Sequence, residues 1–408
     1  MPFKKRIFLI VAILYVLYIV FPLFKDVLGI PVWLPSLATF ITLLVIYPQA
    51  FGNKTFYWFL VYAVFLALYV VLGMPLTIGI GSVAAGKMLL IEYAFILPCI
   101  SIFSVLSFLN DVELSRKILK WSVAILFISF IVAIPLMLRF NSLRDALLDE
   151  NQEDVNIAGL PSYGLMHSYT LFLPVLCYCV KVYKGNQRLF SFIGLIVLCF
   201  VIYDTFVTTS LLLMIVILLF TILHSDKNIQ KSFIIMAALA LLFFLLYETG
   251  FFVSLIDLIM PAFEGTAVKP KLIDMRDSMI QGHVTGDSLT ARQDLHALSV
   301  NSFLNNPLFG GSKVGGHSSL MDRLGGMGLF VGFPFIMIII SFVKRANKLY
   351  KTTMAKSFLG IGIVVGFMYL YNKGNWGAEN WLFYMVLLPI GLLVAENFNL
   401  QNYSKHLR

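Results

Sequence analysis

The chain has 408 residues, of which 60% are hydrophobic, 15% aromatic and only 12% charged. Soluble domains average about 25% charged residues, so this composition excludes a soluble globular enzyme and predicts an all-α polytopic membrane protein. The formal net charge of +9 does not make it a nucleic-acid binder, because that reading needs basic residues clustered on one soluble face; basic loops on the cytoplasmic side of a membrane account for the sign.

From the N-terminus, Lys4, Lys5 and Arg6 precede an apolar run with no small-residue cleavage site, which predicts a retained first helix rather than a signal peptide. Runs long enough to cross about 30 Å of hydrocarbon fall at 7–24, 30–47, 56–73, 88–109, 118–138, 162–183, 188–203, 206–223, 232–247, 327–343, 357–371 and 376–396, twelve spans in all. The stretch 188–223 reads either as one long helix or as two that turn at Tyr203-Asp204-Thr205. Charge decides between them. With two spans, the segments placed inside hold 19 of the 30 Lys and Arg residues, and the short outside connections hold only Lys25, Lys87, Arg139, Arg144 and Lys373. One span would put the five basic residues of 344–356 outside and break the positive-inside rule. Two spans therefore place both termini in the cytoplasm.

Cys99, Cys177, Cys179 and Cys199 all sit inside apolar runs, where they read as small packed hydrophobes and not as a metal site. Glu92 falls within the fourth span; an intramembrane charge is functional by default, with a bond to a neighbouring helix as the competing reading. Asp204 is placed at the membrane interface and His167 near the outer end of the sixth span, lining a cavity. Lys373 and Glu379 flank the stretch NKGNWGAENW, either paired at the outer surface or facing a substrate.

Two outside segments are large: the acidic loop 139–161, read as solvated, and residues 248–325, about 78 residues. The predicted organisation is thus spans one to nine (1–247), an outside loop (248–326), and spans ten to twelve with a cytoplasmic tail (327–408). In the loop, 251–263 is too short to span and predicts an interfacial helix with Asp257 facing water. A helix is predicted from Asp287 or Ser288 until Pro307 ends it, with Arg292, His296 and Ser299 on one face. Then comes GGSKVGGHSSLMDRLGGMG (310–328), with seven glycines in nineteen residues. Gly310, Gly311, Gly315 and Gly316 let the backbone approach a ligand or take φ > 0. Ser319 and Asp322 fit a capping box that starts a helix beside His317, and a helix N-terminus suits an anion such as phosphate.

The residues Arg292, NNPLFGGS (305–312) and GGHSSLMDRLGGMGLFVG (315–332) resemble the Wzy-type O-antigen and capsule polymerases and the related O-antigen ligases. That family carries an Arg about fourteen residues before an Asn-Pro-Leu-Phe-Gly turn, then a His followed by Asn, Ser or Gln, then a Gly about ten residues on. His317-Ser318, nine residues and Gly328 fit it; Gly332 falls one position later than the family's second glycine, although Gly325 and Gly328 make that spacing. The motif covers about forty residues, and the rest agrees only in topology. Relatives of the ligase type carry a Ser-Arg at the outer start of the eighth span, where this chain has Ser210-Leu211.

The resemblance implies about twelve spans, both ends cytoplasmic, the largest outside loop between spans nine and ten, and a site facing the periplasm or exterior of a bacterial cytoplasmic membrane. It implies transfer of a growing glycan from undecaprenyl diphosphate to a lipid-linked repeat unit, with a chain-length regulator and a flippase as partners and no nucleic acid. His317 and Arg292 are the implied catalytic residues. Arg276, Arg323, His296, Lys313, Gly315, Gly316 and Ser318 are the substrate-binding candidates, with Arg139 and Arg144 as further replacements for the missing arginine. No nucleotide-binding motif is present. A cofactor-free, metal-independent reaction is expected, with Asp274, Asp277 and Asp322 leaving a metal-assisted one open. A ligase with another acceptor, or a lipid-linked glycan flippase, are the alternatives; a transporter predicts repeated halves and broken helices, and the sequence has no repeat.

Overall fold

The computed structural model describes residues 1–21, 24, 28–73, 77–78, 81–82, 85–137, 163–204, 208–224, 249–264, 268–281, 288–372 and 376–406. The ninth apolar run (232–247), the loop 139–161 with Arg139 and Arg144, and residues Asp287 and Lys373 lie outside the described residues. Every other apolar run falls on a helix. α1 (Phe3–Val20), α2 (Trp33–Ile46) and α3 (Lys54–Val71) are followed by a hairpin of two-residue strands, β1 (Thr77–Ile78) and β2 (Gly81–Ser82), then by α4 (Ala85–Leu109) and α5 (Val112–Met137). Next come α6 (Tyr163–Val182), α7 (Gly185–Asp204) and α8 (Thr208–Leu223). The stretch 188–223 thus holds α7 and α8, and residues 205–207 between them lie outside the described residues.

The loop segment contains α9 (Phe251–Ile259), a 3-10 turn (Met260–Phe263), α10 (Val268–Gln281), α11 (Ser288–Asn305) and β3 (Lys313–Val314). α12 (Ser319–Asn347) and α13 (Thr353–Asn372) lead to a final helix in three pieces: α14 (Ala378–Leu382), a π-helical turn (Phe383–Leu387) and α15 (Leu388–His406).

Among the described residues, five helices are long and apolar enough to cross a membrane: Lys54–Val71, Gly185–Tyr203, Ser319–Asn347, Thr353–Asn372 and Ala378–Gln401. Shorter apolar helices include Trp33–Ile46, Tyr93–Leu109 and Thr209–Leu223. The surface agrees. Val45, Val71 and Ile222 are 75%, 80% and 73% exposed, a degree of apolar exposure that water penalises and hydrocarbon accepts. The chain is an all-α, membrane-embedded protein.

Packing centres on α12, which runs along α3. Phe65 stacks on Phe330 with ring centroids 4.4 Å apart, and Trp58 meets Phe333 edge-on at 5.7 Å. The Asn53 side chain caps α3 by accepting from the Thr55 and Phe56 amides at 3.1 Å. At the far end of α12, Arg345 Nε donates to Ser107 Oγ at 2.5 Å.

α12 is continuous only in outline. Gly328 adopts φ 60° and ψ −163° in its middle, a conformation open to glycine and not to an L side chain. The break frees two amides, and the chain just before the glycine-rich segment satisfies them: Leu329 N donates to Pro307 O at 2.8 Å and Phe330 N to Leu308 O at 3.0 Å. A short helix beginning at Ser319 is thereby hinged onto the apolar one.

In the loop segment, Phe251, Leu255 and Leu258 of α9 are exposed at helical spacing, as an interfacial helix requires. Asp257 is 48% exposed and holds Arg276 of α10.

Candidate functional site

α11 lies across the start of α12, and its backbone is met there by two glycines, Gly325 of α12 and Gly315 of the segment before it. A Cβ on Gly325 would stand 2.4 Å from the Ser299 carbonyl oxygen, and one on Gly315 would stand 2.1 Å from that of Leu295. Gly310 takes φ +75° with its missing Cβ directed at the Gly326–Met327 peptide. Of the two uses expected of these glycines, Gly310 and Gly316 take φ > 0, and Gly315 lets the chain approach itself.

At this crossing sits a buried carboxylate. Asp322 Oδ1 accepts from the Ser299 hydroxyl at 2.6 Å and from Gly316 N at 3.2 Å, and Oδ2 accepts from Ser318 N at 3.0 Å. Gly315 N donates to Ser299 Oγ at 2.9 Å. The helix N-cap is Ser318, whose Oγ accepts from Met321 N at 3.0 Å, one residue earlier than the predicted Ser319. The shift has a physical reason: the Ser319 hydroxyl is taken by Arg323, and the returning carboxylate stands four residues after the cap. The helix does start beside His317, as expected. Around its start, the Asp322 carboxylate takes the Gly316 and Ser318 amides and the Ser318 hydroxyl takes that of Met321.

His317 is exposed between half-buried Gly316 and buried Ser318. Gly316 has φ +79°, the left-handed turn that brings the chain back to the cap. Lys313 is exposed in β3, which pairs in parallel with β1, Thr77 opposite Lys313 and Ile78 opposite Val314. The Lys313 carbonyl accepts from the Ser302 hydroxyl. α11 carries Arg292 one turn before His296 and two before Ser299; the Arg292 side chain lies outside the described part, as do those of Glu92, Asp204 and Asp274. His296 stacks on Tyr371 at 5.3 Å.

The other arginine candidates are engaged elsewhere. Arg276 Nε donates to Asp257 at 2.6 Å and Nη1 to Asp277 at 3.0 Å; the Asp257 bond first, then that of Asp277, hold the guanidinium above its ordinary pKa. Arg323 is buried with its guanidinium 4.5 Å from the Phe335 ring centroid, Nε facing Tyr62 Oη at 3.4 Å and Nη1 donating to Ser319. The structure therefore brings His317, Gly315, Gly316 and Ser318 together with Ser299 and Asp322, and sets Arg276 and Arg323 on other contacts.

Sequence reasoning did not anticipate two polar groups. One is the Ser299–Asp322 bond itself, although both residues stood out as a helix-face residue and a cap. The other is interior: His167 Nδ1 lies 3.0 Å from Ser210 Oγ, to which Tyr369 donates at 2.9 Å, and Ser168 donates to Asn380 at 3.1 Å. His167 is thus a buried residue bonded to the serine whose expected arginine neighbour is missing.

Chemically, the arrangement offers an exposed imidazole on a turn whose backbone is fixed from beneath, with Lys313 four residues before it. No family model matches the chain, and no curated protein sequence matches it.

Proposed function

We propose that this protein is a bacterial polysaccharide polymerase that works at the outer face of the cytoplasmic membrane. It moves a growing glycan from undecaprenyl diphosphate onto a lipid-linked repeat unit drawn from the same bilayer. The observation that carries the reading is the exposed His317 on a turn clamped by Asp322 and Ser299, beside the helix that bears Arg292. In the reaction an acceptor hydroxyl oxygen attacks the anomeric carbon of the donor sugar. A glycosidic bond forms, the bond from that carbon to the phosphate oxygen breaks, and its electron pair leaves on undecaprenyl diphosphate. His317 takes the hydroxyl proton, the work an imidazole does near neutral pH. Arg292 offsets the charge on the departing diphosphate through a planar fork of donors that stays protonated. The donor is already activated by its sugar–diphosphate bond, so the transfer needs no nucleotide.

Purified protein supplied with lipid-linked repeat units tests this. His317→Ala is expected to lose on the order of 10²–10⁴ in rate. Arg292→Lys keeps the charge, loses the fork and is expected to be severely impaired. In cells both variants accumulate single repeat units at normal protein levels. Chains of near-normal length from either variant remove that residue from the mechanism, and no polymer from the wild type removes the reading.

A further inference from the structure

Four amides flank or belong to the His317 turn, at residues 315 to 318. Gly316 N and Ser318 N end on the Asp322 carboxylate, and Gly315 N ends on the hydroxyl that itself donates to that carboxylate. His317 lies between two anchored residues with its own side chain exposed. Asp322 is 5% exposed, and burying a carboxylate is unfavourable unless donors surround it. Here three donors reach it, from Ser299, Gly316 and Ser318, so the carboxylate ties the turn to α11 and to the start of α12.

We propose that Asp322 is the positioning residue of the His317 site: an internal anion that occupies the start of α12, fixes the turn and directs the imidazole outward. Two consequences follow. The imidazole is preorganised by hydrogen bonds that do not involve substrate. The substrate's own anion is kept off the helix start and is held by side-chain cations instead. The link to catalysis rests on the function proposed above; the anchoring of the turn does not.

The experiment separates the two. Amide hydrogen exchange is followed over residues 312–320 in purified full-length wild type, Asp322→Ala and Asp322→Asn, with and without sodium formate. Formate is small enough to occupy the space left by the removed carboxylate. In wild type the segment is protected and indifferent to formate. In Asp322→Ala protection is lost and formate restores it, whereas in Asp322→Asn the amide still fills the space and formate does nothing. In the polymerisation assay both variants lose roughly tenfold or more in kcat, as misplacement of a catalytic group by about 1 Å does. KM for the lipid-linked substrate changes little, and formate returns part of kcat to Asp322→Ala alone. If Asp322→Ala does not fold, Asp322→Asn and Ser299→Ala carry the kcat–KM split and the exchange measurement. Wild-type protection in either carboxylate variant, or a folded Asp322→Asn with wild-type kcat, overturns the proposal. Absence of polymer from the wild type defeats the enzymatic reading and leaves the exchange result to decide the anchoring.

Discussion

Replacing Gly325 with alanine places one methyl group where two chain segments cross, and its effect can be worked out from the geometry. In an isolated helix the change is favourable by up to about 1 kcal/mol, since glycine is the poorer helix former. Here the new Cβ falls 2.4 Å from the Ser299 carbonyl oxygen, 3.0 Å from its carbon and 3.1 Å from its Cα, where ordinary contact begins near 3.4 Å. The obstacle is backbone inside α11, so no rotamer relieves it, and the helices must separate by about 1 Å. Overpacking of this kind costs about 1–3 kcal/mol, which outweighs the propensity gain. The same shift stretches the Ser299–Asp322 bond from 2.6 Å and the Gly315–Ser299 bond from 2.9 Å beyond hydrogen-bonding range. Thermal unfolding in detergent should show Gly325→Ala destabilised, and hydrogen exchange should show residues 312–320 deprotected. Gly360→Ala is the control, because its Cβ meets nothing within 4 Å; it should be neutral or slightly stabilising. Equal stability and equal protection in the two variants would refute the reasoning.

Two further outcomes concern the other end of the bundle. Glu396 is buried and accepts from Lys351 N at 3.0 Å and Thr352 N at 2.5 Å, so α15 caps the start of α13; Glu396→Ala leaves both amides without that acceptor and should cost about 2–3 kcal/mol in thermal unfolding. Asp111 accepts from Lys5 at 2.5 Å and from Leu114 N at 3.0 Å. Burial alone would raise its carboxyl, but those bonds together hold it below the ordinary value of 3.8. A depressed folded pKa contributes stability above the unfolded value and loses it as pH falls through the folded one. Asp111→Asn should therefore cost about 1 kcal/mol at pH 7. The difference from wild type should close below pH 3.8, and a gap unchanged by acid would count against the pairing.

The helical architecture is legible in the sequence wherever burial and periodicity speak together. Runs of Leu, Ile, Val and Phe have one solution in hydrocarbon, and the described helices fall on them. The end of α11 at Asn305 before Pro307 is likewise visible as a breaker residue. What escapes the sequence depends on partners far along the chain. Arg276 meets Asp257 across nineteen positions, from a different helix. β1 and β3 are two residues each and separated by more than two hundred, too short to show a period of two. Ser318 and Ser319 are equally good caps on paper; the neighbouring Arg323 decides between them by engaging the second.

The glycines show why composition alone misassigns a site. A segment rich in glycine and charge between apolar helices invites the inference that its backbone amides bind a ligand, because glycine permits close approach. At 315, 316 and 318 that capacity is used inside the chain, on Ser299 and Asp322. What remains to face outward is side-chain chemistry: an imidazole at 317 and an ammonium at 313, both exposed, while Arg276 and Arg323 are held by Asp257, Asp277, Ser319 and the Phe335 ring. For an anionic substrate the difference matters. Amides at a helix start offer a fixed dipole, whereas His317 and Lys313 offer exposed side chains. On the function proposed above, a turn held by Asp322 and Ser299 with an exposed imidazole at its surface gives the reacting role to His317 rather than to the glycine-rich backbone around it.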